Sequence, residues 1–269
     1  MSGRYVALIT AGGRLAPDME RVCGTRLKAL APLRDALFIE HVIVALRDSG
    51  AVSAIAVVGP VGELSAAGVV ADVWADEGAT GPENIRRGIV ALREAGYLGG
   101  EERLLLCATD AVFLHADTVC ELIRVAETRP DADVVFPVVR EGDYESRFAG
   151  SPNVYASLAD GSLTGSSVQI VRPAAMERCL PQIERAFAAR KSQWEMAKLL
   201  GIGVICQFLM RTLTIAAAEA RIAAVTGLIV YAPVFADPRV AADVDTLGDY
   251  EFALKLVRDE AAGGALLRS

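Results

Sequence analysis

Tyr5-Val6-Ala7-Leu8-Ile9-Thr10-Ala11-Gly12-Gly13-Arg14 sets the frame for the whole chain. Its apolar run is too short for a signal peptide and reads as a first strand. Two glycines then turn the chain sharply. Outward from this stretch the sequence alternates β-rich runs with helical spacing, the mark of a parallel sheet with crossover helices. Phe38, Ile39, Val42, Ile43 and Leu46 recur at helical spacing, with Gly50 where a C-terminal cap belongs. Residues 54–58 read as a second strand ending at Gly59-Pro60, and residues 69–74 as a third. Pro82 starts a helix through Ile85, Ile89 and Leu92 that Gly96 closes. Residues 103–107 form a continuous apolar run, expected of a central strand buried on both faces. Asp117 or Thr118 is expected to cap the next helix, and residues 134–139 to form another strand.

Past Arg140 the rhythm changes. Residues 141–165, rich in Gly, Ser, Asp and Pro, read as loops with one or two short strands, and residues 167–171 return to strand character. A helical insertion is expected at about 174–226, with Pro181 restarting a helix, Ser192 and Glu195 forming a capping box, and Thr214 capping a helix that ends at Gly227. Residues 228–234 and 240–244 read as strands, followed by a helix from Thr246. The fold class is α/β: one domain over residues 1–269, with a mostly parallel sheet between helices.

The chain has 269 residues, 53% of them apolar and 23% charged, which supports one large core. Its net charge of −7 argues against non-specific nucleic-acid binding, which needs a basic face. Five scattered cysteines form no C-x-x-C pair, so neither a disulfide framework nor a zinc site is expected, and a reducing cytoplasm is the simplest setting. Two histidines supply a metal site or a Ser-His-Asp triad poorly. The most apolar stretch, residues 201–210, is shorter than the roughly 20 residues that a membrane span needs, and Lys198, Gln207 and Arg211 interrupt it. No span is expected. That stretch is expected to be buried against the sheet or against a second subunit of a homodimer.

Several positions have the chemistry of a phosphate site. Ala11, Gly12, Gly13 and Arg14 follow a strand end, where backbone N–H groups approach a phosphate closely. Neither G-x-G-x-x-G nor G-x-x-x-x-G-K-[ST] occurs, which disfavours dinucleotide and P-loop chemistry. Lys28 can neutralise a triphosphate, although alone it reads as an ordinary surface lysine. Asp110 directly follows the central strand, at the edge where open α/β sheets bind ligands. In Asp243-Val244-Asp245-Thr246, strand alternation would put both carboxylates on one face, while Thr246 and Asp249 cap the helix. Two carboxylates from distant strand ends suit Mg²⁺, a hard cation.

The order Ala11-Gly12-Gly13, Lys28-Ala29-Leu30, Pro82-Glu83-Asn84 with Arg87-Gly88, Thr109-Asp110 and Val244-Asp245-Thr246 resembles the MobA-like NTP transferases. The resemblance implies a Rossmann-like nucleotidyltransferase of the GT-A fold. It implies that Gly12 and Gly13 cradle the nucleotide phosphates, that Lys28 assists them, and that Asn84 lies near the base or ribose. Asp110 and Asp245 would hold the metal. Gly165 would face the acceptor, although relatives show Thr-Gly-Gly-Asn where this chain has Thr164-Gly165-Ser166-Ser167. Arg190 and Lys191 would clamp a small anionic acceptor or, equally, form a solvated helix end. The implied reaction is Mg²⁺-dependent transfer of a nucleoside monophosphate from an NTP, with release of pyrophosphate. Two alternatives remain at this stage. One is a GT-A glycosyltransferase using Asp243-Val244-Asp245 as its D-x-D, and the other is a non-catalytic nucleotide-binding protein.

Overall fold

The computed structural model describes residues 5–189, 198–199 and 201–263. Strand β1 (Tyr5–Thr10) leads through helix α1 (Pro17–Cys23) to a hairpin of two-residue strands, β2 (Pro32–Leu33) and β3 (Ala36–Leu37). Helix α2 (Phe38–Asp48) returns to β4 (Ile55–Gly59), and α3 (Val61–Ala66) leads to β5 (Val73–Asp76). Helix α4 (Gly81–Glu94) crosses to β6 (Arg103–Ala108), and α5 (Ala116–Glu127) to β7 (Val134–Val135). Next come β8 (Val138–Arg140), α6 (Glu141–Arg147), β9 (Ala156–Leu158), β10 (Gly161–Gly165) and β11 (Val168–Val171). Helices α7 (Pro173–Arg178), α8 (Leu180–Ala189), α9 (Ile202–Leu209) and α10 (Ile215–Thr226) separate β11 from β12 (Val230–Tyr231). Helix α11 (Leu247–Gly263) follows.

The main sheet has seven strands in the order β12-β7-β11-β6-β1-β4-β5. All its pairings are parallel except those of β11, which runs antiparallel to both β6 and β7. This is the expected α/β class with a mostly parallel sheet. Helices flank both faces because β1 alternates its side chains. Ala7 and Ile9 join a core with residues of α2 and α5, while Val6 and Leu8 join one with Ile89 and Leu92 of α4.

Gly88 makes the α4 packing close. A Cβ there would lie 2.3 Å from Leu8 Cδ1 and 3.0 Å from Val58 Cγ2. Leu8 is fully buried and has nowhere to retreat. We expect Gly88→Ala to lower stability by about 1–3 kcal/mol through overpacking. Urea unfolding checks this, and an unchanged midpoint would show that the interface is looser than described.

Several boundaries differ from the sequence reading. The third strand is β5, shifted from residues 69–74 to Val73–Asp76. Helix α5 is capped by His115, whose ring nitrogen accepts from Asp117 N–H, rather than by Asp117 or Thr118. Residues 134–139 split into β7 and β8, which flank Phe136-Pro137. Residues 141–165 contain α6, whose only buried side chain is Tyr144. The stretch 240–244 is not a strand: a 3₁₀ turn spans Pro238–Ala241 and buries Val240 and Ala241. Thr214 does cap α10, accepting from Ala217 N–H, and Gly227 ends the helix with φ +76°.

The described chain from 173 to 226 is mostly helical, with a non-helical link at residues 210–214, but its apolar part is not buried against the sheet. Ile202, Leu209 and Met210 are 65–75% exposed, and neither α9 nor α10 has a buried residue. Among the described residues, no helix is long and apolar enough to cross a membrane. The expected capping box at Ser192 and Glu195 lies outside the described residues, as do Arg190 and Lys191.

Candidate active site

β1, β4, β5 and β6 are parallel, so their carboxyl ends share one edge of the sheet. The turn after β1 is locked there: Ala11 N–H donates to Val58 O at 2.7 Å. Gly59, at the end of β4, makes room for it, because a Cβ would meet Ala11 O at 3.0 Å. Gly13 O accepts from Lys28 N–H at 3.0 Å, which brings Lys28 beside the turn. Gly12 lies under the Glu77 side chain, where a Cβ would meet Glu77 Oε2 at 2.4 Å. Arg14 folds back onto the same place, donating to Gly12 O and pairing with Glu77.

The loop after β5 is held by α4. Asn84 Oδ1 accepts from Gly78 N–H at 2.6 Å, and Arg87 donates to the carbonyls of Asp76 and Glu77. The Asn84 amide also faces Gly12, 3.4 Å from where a Cβ would stand. Asn84 therefore sits between the loop after β5 and the Gly12-Gly13 turn.

The carboxylates meet at the end of β6. Asp110 O accepts from Val244 N–H at 3.2 Å, tying the loop after β6 to the segment before α11. Through this tie Asp110, Asp243 and Asp245 each bring a carboxylate oxygen within 4.8 Å of the others. The Lys28 ammonium bridges Asp110 Oδ2 and Asp245 Oδ1. Asp243 Oδ2 accepts from the Ser167 hydroxyl at 3.0 Å. Asp249 Oδ2 caps α11 and accepts from the backbone N–H groups of Asp245 and Thr246, so the side chain of Asp245 has no capping duty.

Burial dominates the electrostatics of this group. It pushes the Asp110 carboxyl above the carboxylate range, with Lys28 pulling the other way. Burial alone would depress the Lys28 ammonium, but Asp110 and Asp245 outweigh it and hold Lys28 above its ordinary value. Asp243 is pushed up to about 6 by burial and by the neighbouring Asp110 and Asp245 carboxylates. The cluster holds more carboxylate than one lysine neutralises.

Sequence reading placed Lys28, Asp110 and Asp245 here, and the structure brings all three into contact. Three further residues belong to the site. Asp243 joins the cluster although residues 240–244 are not the strand whose alternation was expected to align it with Asp245. Ser167, noted only as a departure from the family pattern, holds Asp243. Glu77 gave no signal beyond following a strand. Gly165 ends β10, exposed, opposite Val138 and two residues before Ser167.

The domain signature of the MobA-like NTP transferases matches residues 7–204. A hypothetical transferase from Thermus thermophilus has a similar structure, with a TM-score of 0.77 and 29% identity over 92% of this chain and 99% of that one. A nucleotidyl transferase from Methanothermobacter thermautotroptrophicus shares the fold, with a TM-score of 0.54 and 17% identity over 95% and 99% of the two chains. So does a CMP:2-keto-3-deoxy-manno-octonic acid synthetase complexed with CTP, with a TM-score of 0.56 and 13% identity over 96% and 99%. No curated protein matches the chain.

Proposed function

Because this chain belongs to the MobA-like NTP transferase family, we propose that it transfers a nucleoside monophosphate from an NTP to a small anionic acceptor. In balanced form, an acceptor oxygen attacks the α-phosphorus. The new P–O bond forms as the bond to the β-phosphate bridging oxygen breaks, and pyrophosphate leaves with that electron pair. One domain carries the whole reaction, with the helices between β11 and β12 as its insertion.

One observation carries the reading: the junction of Lys28 with three converging carboxylates at the strand edge, beside the Gly12-Gly13 turn. Asp110 Oδ1 is buried there without a hydrogen-bond partner. A buried carboxylate oxygen is rarely left unsatisfied unless something is to be held. An all-oxygen donor set fits Mg²⁺. Asp110, Asp243 and Asp245 would hold the ion, which when bound neutralises charge on the reacting phosphates. The protein's own groups do the rest. The backbone at Gly13 leaves room for phosphate oxygens beside Lys28, Gly12 being reached once the Glu77 side chain above it moves aside, and Lys28 offers a cation to them and to the departing pyrophosphate. Ser167 fixes the rotamer of Asp243, and Asn84 sets the wall on which the base or ribose rests. Such transfers need positioning and charge neutralisation more than covalent catalysis.

Pooled NTPs with Mg²⁺, offered pooled sugar and alcohol phosphates, test the reading through pyrophosphate release. Release that depends on both pools is expected. Transfer of a sugar from a nucleotide sugar, without pyrophosphate, would overturn it. A second test needs no acceptor. An NTP with Mg²⁺ at about 100 times its dissociation constant adds roughly 2.7 kcal/mol through linkage, or about 5 °C of melting temperature for a domain of this size. NAD adds none, in keeping with the missing dinucleotide motif. Stabilisation by NAD and by no NTP would point to another class.

A further inference from the structure

The two histidines of this chain line one cavity of about 270 Å³. The loop 112–114 forms one wall, the hairpin tip between β2 and β3 another, and α2, α6 and α11 the rest. None of Lys28, Asp110, Asp243 or Asp245 borders it. Leu33, Phe113, Phe148 and Val257 give it an apolar lining. Its volume is near the small end of ligand cavities, which span roughly 300–1,000 Å³.

Two of the arginines that line this cavity are unused donors. Arg147, half-buried at the end of α6, and Arg34, at the hairpin tip, make no ion pair or hydrogen bond among the described residues. His115 Nδ1 faces Asp117, 3.4 Å from its backbone nitrogen and 3.3 Å from its Oδ2, which leaves the Nε2 edge of the ring toward the cavity without a partner among the described residues. His41 Nε2 lies 3.1 Å from Leu33 O and is spent on it. The third arginine, Arg239, is paired with Asp237. On the acidic side, Glu40 Oε2 accepts from Leu37 N–H and Asp48 is exposed at the far end of α2. A guanidinium partly withdrawn from water with no acceptor is costly, and an anion in hydrogen-bond reach relieves that cost. The apolar lining rewards burial of whatever carries the anion.

We propose that this cavity binds a small organic anion, a phosphate or carboxylate headgroup on a compact apolar body, at a site separate from the acidic cluster. The headgroup is taken by Arg147, with Arg34 and His115 beside it, and the body fills the space against Phe113 and Phe148.

Amide chemical-shift titration of the full chain with phenyl phosphate and with benzoate tests this. Saturable shifts at residues 115–117 and at Arg147 are expected with at least one of the two, and the tighter one names the headgroup. Inorganic phosphate, lacking the apolar body, is expected to bind at least tenfold more weakly. Arg147→Ala should weaken the tighter probe at least tenfold. Val44→Glu should do the same from an exposed helix position at the rim, so the result does not hang on one variant folding well. Shifts confined to residues 12–28, an absence of saturation with both probes, or unchanged affinity in both variants would overturn the proposal.

Discussion

Asp110→Asn and Asp245→Asn are each expected to lower the rate of pyrophosphate release on the order of 10³-fold while the protein stays folded. Both carboxylates lie at the strand edge, and neither caps a helix. Asparagine keeps the shape of aspartate and removes one charged hard oxygen from a three-carboxylate set. Several kcal/mol of transition-state stabilisation go with it, each 1.36 kcal/mol being a factor of ten in rate. Asp245→Asn leaves the buried Lys28–Asp110 pair in place, whereas Asp110→Asn keeps only the shape and a neutral hydrogen-bond acceptor for Lys28 and is expected to lower stability without unfolding the protein. Circular dichroism and melting curves establish folding, and release is measured with the substrate pair that the pooled screen identifies. Wild-type rates in either variant would remove that residue from the site.

Lys28→Met is expected to produce the largest loss of stability in metal-free buffer, about 3–5 kcal/mol, as when one partner of a buried pair is removed. The Lys28–Asp110 pair is responsible, since both side chains are only 11% exposed. The Asp245 arm, 65% exposed, is screened by water and adds little. Methionine leaves three carboxylates facing one another without a counter-charge. Added Mg²⁺ should then raise the melting temperature of the variant by more than that of the wild type, because lysine no longer competes for the same oxygens. If Mg²⁺ stabilises the variant no more than the wild type, the cluster is not a cation site. This readout is independent of turnover.

Much of the fold was legible because burial follows period. The alternation of Val6 and Leu8 with Ala7 and Ile9 placed β1, and Ile85, Ile89 and Leu92 placed α4. Short elements escaped because they have no period to read. The β2–β3 hairpin has two residues per strand, and α6 buries only Tyr144. Residues 240–244 misled because a buried 3₁₀ turn and a buried strand demand the same apolar residues. In α9 the apolar run was plain, but its exposure was not, since one sequence does not say which faces find partners. At the site, Lys28, Asp110 and Asp245 were legible from family order. The membership of Asp243 was not, because the tie between Asp110 O and Val244 N–H that gathers the three carboxylates is a tertiary fact.

The Lys28 bridge spans 82 residues to Asp110 and 217 to Asp245. A ribosome makes the chain from the N-terminus, so Lys28 and Asp110 emerge well before Asp245. Until Asp245 is made, Lys28 has only Asp110 available of the two carboxylates that it bridges in the finished protein. Contacts at such separation are slow to form, because loop closure must precede any gain from them. Assembly of the cluster is thus a late step of synthesis, and a nascent chain can build most of its sheet without yet holding the full set of carboxylates.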